Sequence, residues 1–362
     1  TRSRRAASFP SPAPKQARRE RFREARFFFR EKALDPRSGA DPRPALHARF
    51  FASQTCAILS LVGCVFVPLG AACVAADRSV VETGARYDDA CAEGFFATDA
   101  EAARRAQTFG EGTACEVTLV APRTMRAPVF VYYELTNFHQ NHRRFVKSRS
   151  DEQLAGETSA PGAFCAPQAR REAEGETRAI DPCGLAAWSY FNDTYSFEVS
   201  SDATSPPSPL PVNERGIAWP SDLEHKFADK PPRFHNDDPA TRGGGAVDGT
   251  LRTDEHFVVW MRTAAMSTFR KLWGRVEEDI AKGAVVTVRV TNRFNSYKYG
   301  GEKRIVLSTA SWLGGKNAFL GTAYLVVGSL CFGAAGVFAY FAMYPPRTLG
   351  DVAELMSTAR QD

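Results

Sequence analysis

The sequence predicts a membrane protein in which two transmembrane α-helices flank a mainly antiparallel β domain of α+β class outside the cytosol. Three observations lead there. Residues 50–76 and 317–346 contain no charged side chain, and each run exceeds the roughly 20 helical residues that cross about 30 Å of hydrocarbon. The 240 residues between them, 77–316, hold several β-branched and aromatic runs of strand length. The same segment carries four cysteines and one N-x-S/T sequon, which suit an oxidising, glycosylating compartment. The whole composition, 44% hydrophobic and 24% charged, is that of an ordinary folded chain, so the class follows from how residues are distributed along it.

The tail, residues 1–49, carries 14 Lys or Arg against 5 acidic residues, and such a bias holds the flank of a span in the cytosol. It reads as largely disordered, with at most an amphipathic helix over 16–32, and its charge favours the anionic cytoplasmic leaflet or an acidic partner. The first span, 50–76, is rich in small residues and contains Pro68. It is longer than the roughly 7–15 apolar residues of a signal peptide and follows a 49-residue tail, so it reads as an uncleaved anchor. Two spans place both termini in the cytosol, 77–316 outside it, and the short tail 347–362 back inside. In the second span, 317–346, Gly328, Gly333 and Gly336 are placed for close helix approach.

Within 77–316, strands are expected at 129–136, 195–200, 256–263, 285–291 and 305–312. Between two of them, "STFRKLWGRVEEDIAKG" places Phe269, Leu272, Trp273, Val276 and Ile280 on one stripe at helical spacing, with Ser267 as a cap and Gly283 as a stop. A core helix is expected there. The turn-rich stretches "SSDATSPPSPLPVNERG" and "FADKPPRFHNDDPATRGGG" exceed hairpin length, so they are expected to wrap the sheet or meet a partner.

Cys91, Cys115, Cys165 and Cys183 imply two disulfides. Three pairings are open, and the sequential one closes the shortest loops, worth roughly 3 kcal/mol each on a chain-entropy account. Asn192, in Asn192-Asp193-Thr194, is the segment's one glycosylation acceptor. After the strand "VFVYYEL" comes a basic run, Arg143, Arg144, Lys147 and Arg149. Outside the cytosol no nucleic acid awaits it. In a segment with 33 acidic and 30 basic residues, pairing with nearby carboxylates is the favoured reading, ahead of contact with lipid headgroups or a partner protein.

Motifs for chemistry are missing from the sequence. His139 and His142 form H-x-x-H without a convincing third ligand, so no metal site is expected. "WLGGKN", 312–317, fails as a phosphate loop because Ala310 stands where the first glycine belongs and Asn317 where Ser or Thr follows the lysine. No catalytic residue and no cofactor is nominated. Readings open to such a chain include a stand-alone two-span receptor or adhesion ectodomain and, further off, a tethered hydrolase.

Five segments, "PVFVYYELTNFHQNHRRFVKSRSDEQL", "PCGLAAWSYFNDT", "GIAWPSD", "FVVWMRTAAMSTFRKLWGRVE" and "IVLSTASWLGGKNAFLGTAYLVVGSL", occur in the order of the hallmark segments of the cell-division-cycle-fifty, or ligand-effect modulator, family. The resemblance covers roughly residues 62–327. It implies a non-catalytic β-subunit of a type IV P-type ATPase, a phospholipid flippase. Such a subunit pairs one-to-one with the catalytic chain in the phospholipid membrane and supports its folding, its exit from the endoplasmic reticulum and lipid movement to the cytosolic leaflet. It further implies residence in the endoplasmic reticulum, Golgi, endosomes or plasma membrane. By position, Asn192 matches the family's glycosylation site, Cys165 and Cys183 its second-region disulfide, and Cys91 and Cys115 its first cysteine-bearing region. The chain departs from the family before the first span, where "FREKALDPRSGADPRPALHARFF" replaces a "QQ-x-L-x-A-W-x-P" element, and in having only two cysteines in the first region.

Overall fold

The computed structural model describes residues 43–91, 112–173, 175–202, 204–238 and 242–344, with side chains except at 43–52 and 173. The helix expected at 16–32 lies outside these residues. Two compact units divide the chain, one holding the described residues up to Pro68 and from Leu325, the other Leu69–Tyr324.

The first unit consists of most of two long helices. Helix α1, Arg43–Ser79, runs through Pro68, and α7, Ala318–Met343, carries no charged residue. Ser53–Ser79 and Ala318–Met343 are long and apolar enough to cross a bilayer, and little of either is buried within the protein. A Cβ added at Gly328 would lie 2.8 Å from Val67, and one added at Gly63 would lie 2.9 Å from the Phe332 ring, so hydrogen-only side chains set the approach. Cys56 Sγ reaches the Ala335 carbonyl at 3.5 Å. Gly333 and Gly336, expected at this seam, meet nothing within 4 Å. The physical reason is the seven-residue repeat: positions seven apart share one seam between crossing helices, and 328 and 335 belong to it whereas 333 and 336 do not.

The second unit is built on two four-stranded antiparallel sheets and a small hairpin. The first sheet has the order β1-β10-β3-β8, from β1 Glu82–Arg86, β3 Val129–Leu135, β8 Phe269–Val276 and β10 Lys303–Ser308. The second has the order β2-β9-β6-β7, from β2 Thr113–Val120, β6 Thr194–Ser200, β7 Ser208–Pro209 and β9 Val285–Asn292. The hairpin pairs β4 Arg170–Ala173 with β5 Glu176–Ala179. Short helices α2 Arg143–Lys147, α3 Asp151–Leu154, α4 Leu185–Trp188, α5 Pro220–His225 and α6 Glu255–Met261 lie in the connections.

Alternation explains the core. Val129, Val131, Tyr133 and Leu135 of β3 face inward, as do Val286, Val288 and Val290 of β9 and Tyr195 and Phe197 of β6, and all belong to one buried cluster. Aromatic rings fill its centre: Tyr133 stacks on Phe191 with centroids 3.9 Å apart. Phe138 meets Trp260 and Phe294 at 5.5 and 5.9 Å. The Trp260 indole N–H is satisfied by the Ala186 carbonyl at 2.8 Å.

Strands expected at 129–136, 195–200 and 285–291 form as β3, β6 and β9, and the run expected at 305–312 forms as β10, which ends at Ser308. Two neighbouring expectations are exchanged. Residues 256–263, expected as strand, form α6, and 269–276, expected as helix, form β8. The cause in β8 is a bulge. Register against β3 skips Trp273, so Val131 faces Gly274 and Tyr132 faces Leu272. Inward positions become Phe269, Lys271, Trp273 and Val276, and the extra residue turns a period of two into offsets of four and seven that mimic a helix. In α6 the "HFVVWM" run is short enough for either state. Asp254 decides it by accepting the Phe257 N–H at 2.9 Å as N-cap.

The two exchanges are linked. Lys271 turns inward from β8 and donates to the carbonyls of Val259, Trp260 and Arg262, at 2.9 and 3.2 Å for the first two, groups that the end of α6 leaves unpaired. Lys271→Met should therefore destabilise the full chain by about 1–3 kcal/mol per orphaned buried acceptor at most sites, with partial relaxation. The check is a fall in thermal midpoint in detergent, and an unchanged midpoint would refute the capping role.

Candidate functional site

The sequon opens β6. Asn192 and Thr194 point away from the core, the first half-buried and the second exposed, while Asp193 and Tyr195 between and after them are buried. Strand alternation thus sends the acceptor outward and its middle residue inward. Asp193 pairs with Lys303 of β10 at 2.6 Å, both side chains having no solvent exposure. The Lys303 ammonium also donates to Asn292 Oδ1 and to the Phe294 carbonyl, the latter at 2.5 Å. Three donors thus meet three acceptors. The carboxylate in turn accepts the backbone N–H groups of Arg293 and Phe294 on Oδ1, each at 2.6 Å, and the Tyr87 hydroxyl on Oδ2 at 2.7 Å. Burial pulls Lys303 below the usual lysine range and Asp193 pulls it back up. Tyr87 is driven well above its ordinary value by burial, then by the Asp193 charge.

Outside this network lies a cleft of about 1140 Å³, with Asn192 and Thr194 in its wall and Tyr190 and Trp273 among its aromatic lining. Apart from exposed Asp248, its carboxylates are engaged. Glu255 accepts the N–H groups of Gly216, Ile217 and Ala218 at 3.0, 2.8 and 3.0 Å. Glu214 holds the His256 ring at 2.8 Å, and Asp254, besides capping α6, accepts the Tyr190 hydroxyl at 2.9 Å. Asn192 Oδ1 is buried and has no hydrogen-bond partner. Among the described residues no three His, Cys, Asp or Glu side chains converge as metal ligands. His139 is exposed, and His142 accepts the Arg144 N–H at 3.3 Å as the N-cap of α2.

One wall of the cleft is made by the second turn-rich stretch, which wraps the fold. Gly245 N–H donates to the Tyr190 carbonyl at 2.7 Å, and Asn236 Nδ2 donates to the carbonyls of Trp188 and Gly245, both at 2.9 Å. A Cβ at Gly244 would lie 2.0 Å from the Tyr190 carbonyl oxygen, so the glycine run is what allows this close pass. His235 in the same stretch is buried, edge-on to Phe257 at 6.0 Å and close to the Ala187 backbone. Burial pushes it down to about 4, with the nearby Ala187 carbonyl and the charges of Asp237 and Asp181 opposing.

The structure joins Cys91 to Cys115 and Cys165 to Cys183, with Cα atoms 5.0 and 5.6 Å apart, separations suited to a bridge. Cys56, Cys64, Cys73 and Cys331 are free. Of the basic run only Arg149 finds a carboxylate, Asp151 at 2.9 Å, and it also reaches the Met261 carbonyl at 3.2 Å. Arg143, Arg144 and Lys147 are exposed on α2 and make no ion pair among the described residues. Among the described residues the expected internal pairing is seen at Arg149, while α2 turns the other three to solvent. Sequence reasoning missed Asp193, Lys303, Tyr87 and His235. Asp193 had a signal in its place inside the sequon, whereas a lone lysine or histidine in a strand or loop has none.

Residues 73–348 match the family model described as LEM3 (ligand-effect modulator 3) family / CDC50 family. ALA-interacting subunit 3 of Arabidopsis thaliana is 43% identical over 300 residues, covering 82% of this chain and 82% of that protein. Cell cycle control protein 50A of Mus musculus is 39% identical over 247 residues, 60% of this chain and 65% of that protein. Cell cycle control protein 50B of Homo sapiens is 40% identical, over 58% of this chain and 65% of that protein.

Two outcomes are expected of the buried groups. Asp193→Asn or Lys303→Met alone should cost about 3–5 kcal/mol by leaving a charge or donor set unpaired. The double variant should cost clearly less than their sum in denaturant unfolding, and simple additivity would remove the pair from its central place. For His235, the unfolded ring binds its proton near 6.5 and the folded ring near 4. Its contribution is therefore intact above pH 6.5 and lost as pH falls toward 4, by about 3 kcal/mol in all. His235→Leu should flatten that part of the pH dependence of the thermal midpoint; an unchanged slope between pH 6.5 and 4 would clear His235 of it.

Proposed function

The chain belongs to the ligand-effect modulator 3 / CDC50 family, and on that premise we propose that it is the non-catalytic partner subunit of a type IV P-type ATPase that moves phospholipid to the cytosolic leaflet. The supporting observation is the extent of the match, which runs from within the first span through the β domain and beyond the second. A relative over most of that length is named as an interacting subunit. In this role the chain binds folded states of the larger subunit and shifts their population through differential affinity, aiding folding, exit from the endoplasmic reticulum and the transport cycle. Both termini lie in the cytosol and residues 77–316 outside it. Asn192 carries a glycan there, and the protein passes through the endoplasmic reticulum and Golgi toward endosomes or the plasma membrane.

Arg143, Arg144 and Lys147 contact a protein partner in this proposal, rather than headgroups. Support comes from strand direction within the second unit. Chain leaving α1 at Ser79 enters β1 at Glu82, which pairs with Ser308, nine residues before α7. Leu135 pairs with Lys303 at the opposite end of that sheet, and α2 follows from there. Six residues of strand rise about 20 Å, beyond the roughly 8 Å over which exposed charges act in physiological salt.

Purification of the full chain from native membrane in mild detergent should bring down a P-type ATPase. Recovery of the chain alone, with lipid transport unaffected by its removal, would end the proposal. Charge reversal at Arg143, Arg144 and Lys147 together should weaken that recovery several-fold while leaving the thermal midpoint unchanged, as surface substitutions remote from packing do. Undiminished recovery would return these residues to the solvent.

A further inference from the structure

We propose that the cleft beside β6 is the seat of the chain's own carbohydrate: the first sugars linked to Asn192 fold back into it and complete the domain. The inference rests on the reading of Asn192 as a glycan acceptor and goes beyond it by assigning the glycan a binding site. Two observations that are otherwise unrelated meet here. A cleft of about 1140 Å³, above the roughly 300–1,000 Å³ typical of small-ligand sites, has its carboxylates other than exposed Asp248 already bound to backbone, histidine, lysine or tyrosine partners. The sequon's acceptor stands in that cleft's wall with its Oδ1 buried and without a partner.

The chemistry of the lining fits a neutral sugar carrying hydroxyl and acetamide groups. Tyr190 and Trp273, 7% and 5% exposed, belong to the lining, where aromatic ring surface suits pyranose C–H faces, and Arg215 and Thr253 line it as donors or acceptors for hydroxyl and amide groups. Carboxylates of Glu214, Asp248 and Glu255 share the lining with the guanidinium groups of Arg215, Arg242 and Arg293, so neither sign of charge on a ligand is favoured. Tethering removes the association cost as well. A ligand bonded to Asn192 samples the cleft at the high effective concentration of a short linker, so even weak contacts hold it. Nothing beyond the chain and its glycan is required.

The full-length protein, expressed with its glycans and held in detergent, tests this. Mass spectrometry of the peptide containing Asn192 comes first. An unmodified Asn192 overturns both the acceptor reading and the seat. If the glycan is present, its release by an amidase acting on the native protein is compared between wild type and Ala246→Trp, which fills the cleft from an exposed lining position. Wild type should release at least about tenfold more slowly than the variant, the factor that about 1.4 kcal/mol of seating produces. Equal native rates overturn the seat and leave the acceptor reading standing. Because a filled cleft is able to disturb folding, hydrogen exchange of the wild-type segment 242–256 is measured before and after glycan removal. Faster exchange after removal supports the seat, and unchanged exchange overturns it.

Discussion

The arrangement of the β domain depends on one fully buried ion pair, Asp193 with Lys303. It ties the two sheets together, since Lys303 begins β10 in one and Asp193 precedes β6 in the other. Burying two charges costs several kcal/mol per ion, and only complete hydrogen bonding makes such a pair tolerable. Here the ammonium has three acceptors and the carboxylate has two backbone donors, a lysine and a tyrosine. That completeness also fixes geometry. A one-residue slip of β10 would turn Lys303 to the opposite face, stranding Asp193 and breaking the bond from the Lys303 N–H to Asp88 Oδ1 at 3.0 Å. Asp88 in turn holds Arg86 at 2.9 Å, so the last residues of β1 are set by the same network.

From this centre the disulfides act on what packing leaves loose. Cys91–Cys115 closes a separation of 24 residues and anchors the chain after β1 to β2. Cys165–Cys183 closes 18 residues around a satellite core that contains Ile180 besides the two cysteines. Three buried side chains cannot order such a segment alone, and roughly 3 kcal/mol from loop closure is comparable to what they lack. The wrap through His235, Asn236 and the glycine run is held differently, by amide and backbone hydrogen bonds to 188–190. Its cohesion falls with acid because His235 must stay neutral to remain inside.

Much of this was legible in the sequence, and the failures have specific physics. Long uncharged runs were legible because each exceeds the roughly 20 helical residues that cross a bilayer. Strands β3 and β9 read correctly because Val131, Tyr133, Val286 and Val288 alternate over a full strand. The bulge at Trp273 defeated the same reasoning: one inserted residue shifts the phase, and phase is all that a periodicity analysis sees. Helix α6 was hidden because Val258 and Val259 are strand-formers, and the cap that overrules them is a single aspartate. The buried network was illegible for another reason. A strand lysine looks solvent-facing until Asp193, Asn292 and the Phe294 carbonyl are brought around it by pairing 110, 11 and 9 residues apart. Likewise the basic run could be read as charge but not as address, since which end of β3 it follows is set by strand pairing.

The same centre bears on how the chain would act in the proposed complex. Within the second unit the ends of the spans are built into the domain. Two residues separate α1 from β1, Arg123 caps the Arg78 and Val80 carbonyls at 3.0 and 2.9 Å, Asn317 N–H meets Asp77 at 2.8 Å, and Gly321 rests on Val74. β1 and β10 then carry that junction to the Asp193–Lys303 pair. A coupling mechanism needs an element with two arrangements that both sites bias, and this path is short, hydrogen-bonded and satisfied in one arrangement. In the proposed complex, binding by this chain would shift a partner's equilibrium by the difference in its affinity for the partner's states.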